Sequence, residues 1–294
     1  MKTLSNQQVT IQIKESGAEL CSIKENASGR EYLWQADPAY WKRHSPVLFP
    51  IVGAVWNNEY RHEGKVYPLS QHGFARDKEF QLIVDKADEV RYRLDSDEET
   101  WAIYPFHFRL EIGYRLRGNR IEVIWSVENR GKEEMHFQIG AHPAFYYPDY
   151  TAETDKRGFF SFDKQEGLEF ILIKEKGCAA TDRYPLTLDE QGMLPLDTHT
   201  FDKDALIFEE GQLHQVVLRN NEREAVLTLH FDAPLVGLWS PPAKDAPFVC
   251  IEPWYGRCDR AGYEGEYKDK DWMQHLQPGA GMEVSYTIEI HPCK

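Results

Sequence analysis

Apolar and polar residues alternate along much of the chain, and the alternation is clearest from Arg109 to Glu128. Leu110, Ile112, Tyr114 and Leu116 share one face, with Arg109, Glu111 and Arg115 on the other, which is the period of a half-buried strand. Arg117-Gly118-Asn119 supplies turn chemistry, and Ile121, Val123, Trp125 and Val127 resume the alternation until Asn129-Arg130-Gly131 ends it. The spacing predicts a hairpin. Near the C-terminus, Val284, Tyr286, Ile288 and Ile290 alternate with Glu283, Ser285, Thr287 and Glu289 and predict a closing strand.

Shorter strands are expected at Val9 to Ile13, Glu59 to His62, Lys65 to Tyr67, Gln81 to Val84, Val90 to Leu94, Ala225 to His230 and Val236 to Trp239. Turn residues separate them at short intervals. No stretch keeps apolar residues at helical spacing beyond about three turns, which argues against alternating strands and helices. The expected fold class is all-β, a large antiparallel sandwich. Neither a linker-like run nor an internal repeat divides the chain, and the charged stretch Asp95 to Glu99 reads as a solvated loop. One domain over residues 1–294 is the simplest organisation.

Composition narrows the function. With 34 Lys and Arg against 48 Asp and Glu, the formal net charge is −14, which excludes an electrostatic grip on nucleic acid or anionic lipid. The 15 Phe, 15 Tyr and 8 Trp supply a packed interior and exclude a disordered chain. The first residues show no basic start followed by an apolar stretch, so a cytoplasmic location is expected. Pro46 to Trp56 is the longest apolar-leaning stretch, interrupted by Pro50 and Gly53 and too short to cross a bilayer. Cys21, Cys178, Cys250, Cys258 and Cys293 are scattered without a CxxC pair, as expected of reduced thiols.

Three segments depart from ordinary strand and turn chemistry: Gln71-His72-Gly73-Phe74-Ala75-Arg76-Asp77, Gly140-Ala141-His142-Pro143-Ala144-Phe145 and Ile251-Glu252-Pro253-Trp254-Tyr255. His142 and Glu252 each precede proline, which biases their backbones to extended conformations and suits the end of a strand. A rigid mounting of that kind serves a side chain that must hold its aim. Glu252 follows the apolar run Phe248-Val249-Cys250-Ile251, where an ionised carboxylate needs a partner or a purpose. Ordinary structural roles compete at each position. A buried ion pair accounts for Glu252, a turn cap for His72, a local pair for Arg76 and Asp77, and core packing for Trp254, Phe74, Phe145 and Tyr146. The eleven histidines show no HxH or HExxH spacing, so a histidine-based metal site would need long-range convergence and none is expected. GxSxG, P-loop and GxGxxG motifs are also missing.

These segments, with Gly17-Ala18-Glu19-Leu20, Glu31-Tyr32-Leu33-Trp34, Leu48-Phe49-Pro50-Ile51-Val52-Gly53 and Asp204-Ala205-Leu206-Ile207-Phe208, form an ordered series over nearly the whole length. In that series the chain resembles the aldose 1-epimerase, or galactose mutarotase-like, family, and its LacX-like branch most closely. The resemblance implies an antiparallel supersandwich with a sugar cleft on one sheet face, no cofactor, and interconversion of the α and β anomers of an aldose. It assigns Glu252 as general base on the C1 hydroxyl and His142 as general acid on the ring oxygen. His72 becomes a second histidine that binds or polarises the sugar, Asp204 a hydrogen-bonding partner of sugar hydroxyls, and Arg76 a substrate-binding group.

The chemistry agrees with these roles. Opening a hemiacetal needs a proton taken from the C1 hydroxyl and one given to the ring oxygen, after which rotation about C1–C2 allows reclosure on the other face. An ionised glutamate and an imidazole held protonated by it would suffice. One departure stands out: LacX-like relatives commonly carry arginine after FPIVG, and this chain has Ala54. Arg76 or the indole of Trp56 would have to compensate, or the substrate differs from a plain hexose. Two further readings follow, a sugar-binding member without turnover and a hexose-phosphate epimerase whose phosphate would meet Arg43, Arg76, Lys78 or Arg257. Glycoside hydrolysis would need Glu252 and Asp204 to flank one bond.

Overall fold

The computed structural model describes residues 1–292, so Cys293 lies outside the described residues. The expected hairpin forms from Phe108–Arg117 and Arg120–Asn129, turning at Gly118 with φ +62°. Its cross-strand pairs Leu110 with Val127, Ile112 with Trp125, Tyr114 with Val123 and Leu116 with Ile121 place all eight apolar side chains on one buried face. The closing strand Gly281–Ile290 pairs with Arg120–Asn129, so the chain's last strand is locked beside this central hairpin.

These strands lie within a nine-stranded antiparallel sheet, ordered Met193–Asp197, Lys156–Phe162, Gln215–Arg219, Ala225–Phe231, Gly281–Ile290, Arg120–Asn129, Phe108–Arg117, Glu89–Asp95 and Gln81–Asp85. A smaller sheet runs Leu206–Phe208, Leu235–Trp239, Phe248–Tyr255, Ile139–Ala141 and Val47–Leu48, with Ala144–Tyr146 also paired to Phe248–Tyr255. Side chains from both sheets meet in one hydrophobic cluster that runs from Leu4 to Ile290. The molecule is therefore a large antiparallel β-sandwich.

The smaller sheet is buried on both faces. Val249 and Ile251 enter the shared core, as do Val236, Leu238, Leu206 and Phe208. Their alternate neighbours Leu235, Ile207 and Trp254 pack in a second cluster, and Phe248 and Cys250 in a third. A period of two thus sends Glu252 away from the core, to the face shared by Cys250 and Trp254.

The charged stretch Asp95 to Glu99 is only in part a loop, because Glu98–Ile103 is an α-helix. Asp97 caps it, accepting from the Thr100 N–H at 2.7 Å while its own N–H donates to the Thr100 hydroxyl at 2.8 Å. Six residues are too few to show a helical period. No helix among the described residues is long and apolar enough to cross a membrane.

Candidate active site

Glu252 sits in mid-strand in Phe248–Tyr255, not at a strand end as its proline suggested. On one side, Gly237 lies opposite Glu252 and Val236 opposite Pro253. On the other side the neighbouring chain is broken. Gly140 pairs with Trp254 and Ala144 with Cys250, leaving His142-Pro143 out of register between them. Pro253, with no N–H to give, falls opposite that break, where proline costs the sheet nothing. The break also puts His142 at the end of Ile139–Ala141, with Nδ1 3.4 Å from the Glu252 Oε1.

Aromatic rings hold this pair. Trp41 stacks on the His142 ring at 4.7 Å between centroids and Trp239 meets it edge-on at 5.3 Å. The Trp254 indole lies flat over the neighbouring strands. A Cβ on Gly140 would come within 2.5 Å of it on one side, and a Cβ on Gly237 within 2.4 Å on the other. The two glycines are the space the indole occupies, and its N–H donates to the Ala141 carbonyl at 3.1 Å.

His72 meets His142 edge to face at 5.4 Å. Its backbone has φ +66°, its N–H donates to the Gly53 carbonyl at 2.8 Å, and its Nδ1 accepts from the Gly53 N–H at 3.1 Å. Accepting at Nδ1 leaves the ring proton on Nε2, so His72 is a neutral donor. His72 thus caps the Gly53 N–H, as a turn residue would, and also lines the cleft described next.

A cleft of about 600 Å³ runs over this face, lined by His72, Arg76, His142, Asp204 and Glu252 together. All five candidate site residues converge there, from segments as distant as Gln71–Asp77 and Phe248–Tyr255. Its size fits a small organic ligand. Asp204 sits at φ +71° with Oδ1 accepting from the Ala205 N–H at 2.7 Å. Arg76 donates to the Gln71 carbonyl at 2.8 Å, while its buried Nε has no hydrogen-bond partner.

Sequence reasoning missed most of the walls. Trp41, Trp239, Lys42 and Lys244 line the cleft. The run Tyr40-Trp41-Lys42-Arg43, two aromatic residues followed by two basic ones outside any strand, was the available signal.

Some expectations need correction. Of the four basic candidates for a phosphate, Arg43 and Arg76 line the cleft but Arg257 and Lys78 do not. Arg257 is buried, donating to Glu209 and Asp271 at 2.6 Å each, and Lys78 pairs with Glu99 at 2.6 Å. Ala54 is buried beneath Gly177, whose Cβ would lie 3.2 Å from that of Ala54. Ala54 does not line the cleft. Nor does Trp56 compensate, since its ring lies under the Lys176 ammonium at 4.3 Å and outside the cleft walls. Cys21, Cys178, Cys250 and Cys258 are buried free thiols.

Protonation also differs from the simple expectation of an imidazolium beside a carboxylate. Burial pushes the Glu252 carboxyl well above its usual range, and the nearby charge of Asp204 adds to the effect. Burial and the cation of Arg76 push His142 well below the usual imidazole range. Both charged forms are disfavoured because the side chains are buried: Glu252 is 2% exposed and His142 7%. With the carboxyl raised and the imidazole lowered, the favoured state is a protonated carboxyl beside a neutral imidazole, one proton for the pair. His142 Nδ1 and Glu252 Oε2 are buried without hydrogen-bond partners, which is costly unless a ligand meets them.

The sandwich superimposes on galactose mutarotase-like folds. A family model described as aldose 1-epimerase matches residues 1–289. Protein LacX, chromosomal, of Lactococcus lactis subsp. lactis is 34% identical over 298 residues, covering 98% of each chain. A galactose mutarotase related enzyme from Lactobacillus acidophilus superimposes with a TM-score of 0.91 at 34% identity, over 99% of this chain and 97% of that one. A galactose mutarotase-like protein from Lactobacillus casei ATCC 334 gives 0.93 at 30% identity, over 99% and 100%. The chain belongs to the aldose 1-epimerase family.

Proposed function

We propose that this protein is a cofactor-independent aldose 1-epimerase acting on a hexose. The observation that carries the reading is the His142–Glu252 pair, 3.4 Å apart at the cleft floor, with a buried unpartnered polar atom on each residue. A sugar hydroxyl donating to Glu252 favours the carboxylate and moves the shared proton to His142. Glu252 then takes the proton of the C1 hydroxyl as His142 gives one to the ring oxygen, and the open aldehyde rotates about C1–C2. Reclosure reverses both transfers, so the pair returns to its starting state and no outside proton is consumed. His72 donates from Nε2 to the sugar, Asp204 accepts from its hydroxyls, and Arg76 binds an oxygen. Trp254 and Trp41 offer apolar faces to the ring.

Anomer exchange followed by NMR or polarimetry on glucose and galactose tests this. Glu252→Gln and His142→Ala should each slow the catalysed rate by about 10²–10⁴-fold. Wild-type rates equal to the variants' across a sugar panel would reject it, and saturable binding without exchange would mark a sugar-binding protein instead.

Lys42, Arg43, Arg76 and Lys244 in the walls favour a second reading, a phosphorylated hexose. Rates on glucose and glucose 6-phosphate, compared in wild type and Arg43→Ala, separate the two. A preference for the phosphate ester that Arg43→Ala removes would establish the second.

A further inference from the structure

Away from the cleft, the short strands Met135–Phe137 and Gln274–Leu276 pair with His136 directly opposite His275. The two Nδ1 atoms lie 3.0 Å apart, and Glu134 is the third member of the cluster, a carboxylate oxygen within 4.8 Å of one ring nitrogen of each histidine. His62 borders the group, its ring 6.3 Å from that of His136. His136 is buried, whereas His275 and Glu134 face solvent, so the cluster is closed on one side and open to an entering ion on the other.

We propose that His136, His275 and Glu134 form a binding site for a late first-row divalent cation of the zinc, cobalt or nickel class. Two imidazole nitrogens each about 2.0–2.1 Å from one zinc ion stand roughly 3.3 Å apart in tetrahedral geometry, close to the separation already present. Two imidazoles and one carboxylate are a donor set these ions accept, with water completing the shell. At present one Nδ1 donates to the other. On metal binding that proton moves to Nε2 through solvent and both rings stay neutral. Lys268 lies near enough to His136 to oppose a cation.

The site would act as a clip. Its two histidines are 139 positions apart, so a shared ion closes a long loop and narrows the unfolded ensemble. The strand it fastens continues through Gln138, which accepts from the Val52 N–H at 3.3 Å and donates to the Asp271 carbonyl at 3.0 Å, to Ile139–Ala141 and His142.

Calorimetric titration of the full chain with Zn²⁺, and separately Co²⁺ with its visible spectrum, tests the proposal. Wild type should take up one equivalent, with a rise in melting temperature that follows metal concentration. His275→Ala, at an exposed position that leaves the fold intact, should weaken binding at least tenfold and abolish the rise while anomer exchange is unchanged. Glu134→Gln should weaken it less. Absence of saturable uptake at millimolar metal would overturn the site. So would uptake that survives His275→Ala and is lost in Glu252→Gln, which would place the ion on the cleft cluster of His142, Cys250 and Glu252.

Discussion

Two glutamates are equally hidden in this fold and live in opposite states. Glu19, 1% exposed, receives the N–H groups of His44 at 2.8 Å and Ser45 at 3.0 Å and forms an ion pair with Lys14. Burial alone would raise its pKa, but the contacts with His44 and Lys14 outweigh it and hold the carboxyl down at about 2. Glu252, 2% exposed, has one oxygen with no partner and Asp204 as a neighbouring charge, and its carboxyl is pushed up. Burial is common to both, so the partners decide. A carboxylate supplied with donors is a structural bracket, and one left short of them is poised to exchange a proton.

The largest effect should come from removing the poised group. Glu252→Gln keeps the shape of the side chain and cannot accept a proton, so anomer exchange should fall by about 10²–10⁴-fold while the protein stays folded. Glu19→Gln should do the reverse, leaving the exchange rate per folded molecule within a few-fold of wild type. If Glu19→Gln abolished exchange in a protein that melts normally, the contrast between the two residues would be lost.

Next in size is the stability cost of removing the bracket. Glu19→Ala strands the His44 and Ser45 N–H groups and the Lys14 ammonium, at about 1–3 kcal/mol for each buried donor left unpaired. Urea unfolding should show a lowered midpoint. Since Arg43 immediately precedes His44 and lines the cleft, sugar affinity should weaken along with stability.

A smaller effect tests the packing around Glu252. Gly237 lies opposite it in the neighbouring strand, and a Cβ there would press on the Trp254 indole at 2.4 Å. Gly237→Ala should cost about 1–3 kcal/mol by overpacking. It should also raise KM for the sugar more than it lowers kcat, because it tilts the floor and leaves the His142–Glu252 contact in place. Steady-state exchange kinetics would show the split.

The same contrast marks what could be read from the chain alone. Strands whose apolar residues alternate, such as Phe108–Arg117 and Gly281–Ile290, were legible because one face of each meets the core. Glu252 and His142 stood out because an ionisable residue before proline in apolar company is hard to place otherwise. Their contact was not legible, for it depends on a strand break at His142-Pro143 falling opposite Pro253, a matter of register between segments about 110 residues apart. Glu19 carried no local mark as a bracket, because its partners His44 and Ser45 belong to another segment. Protonation was the least legible, since an imidazole beside a carboxylate suggests an ion pair until the burial of both side chains is known.

The subtlest prediction concerns stability and pH, where the two glutamates should pull in opposite directions. The Glu19 pKa is lowered on folding, from its ordinary 4.5 to about 2, so its stabilisation is complete above the unfolded value and is lost as pH falls from about 5 towards 2. That of Glu252 is raised, so its contribution is complete below the unfolded value and declines as pH rises above about 4.5, where the unfolded chain gives up a proton the folded chain keeps. Melting curves of the wild type, Glu19→Gln and Glu252→Gln across pH 4 to 8 separate the two. The deficit of Glu19→Gln should shrink towards the acid end, and Glu252→Gln should gain on the wild type as pH rises, by about 1 kcal/mol, the size expected when a strained functional group is relieved. The rate should follow the same logic. With His142 depressed, kcat/KM should stay level through pH 6.5 and fall only where the pair takes a second proton or loses its single one. An acid limb centred near 6.5 would mean that His142 titrates as an ordinary imidazole, and the buried shared-proton pair would have to be abandoned.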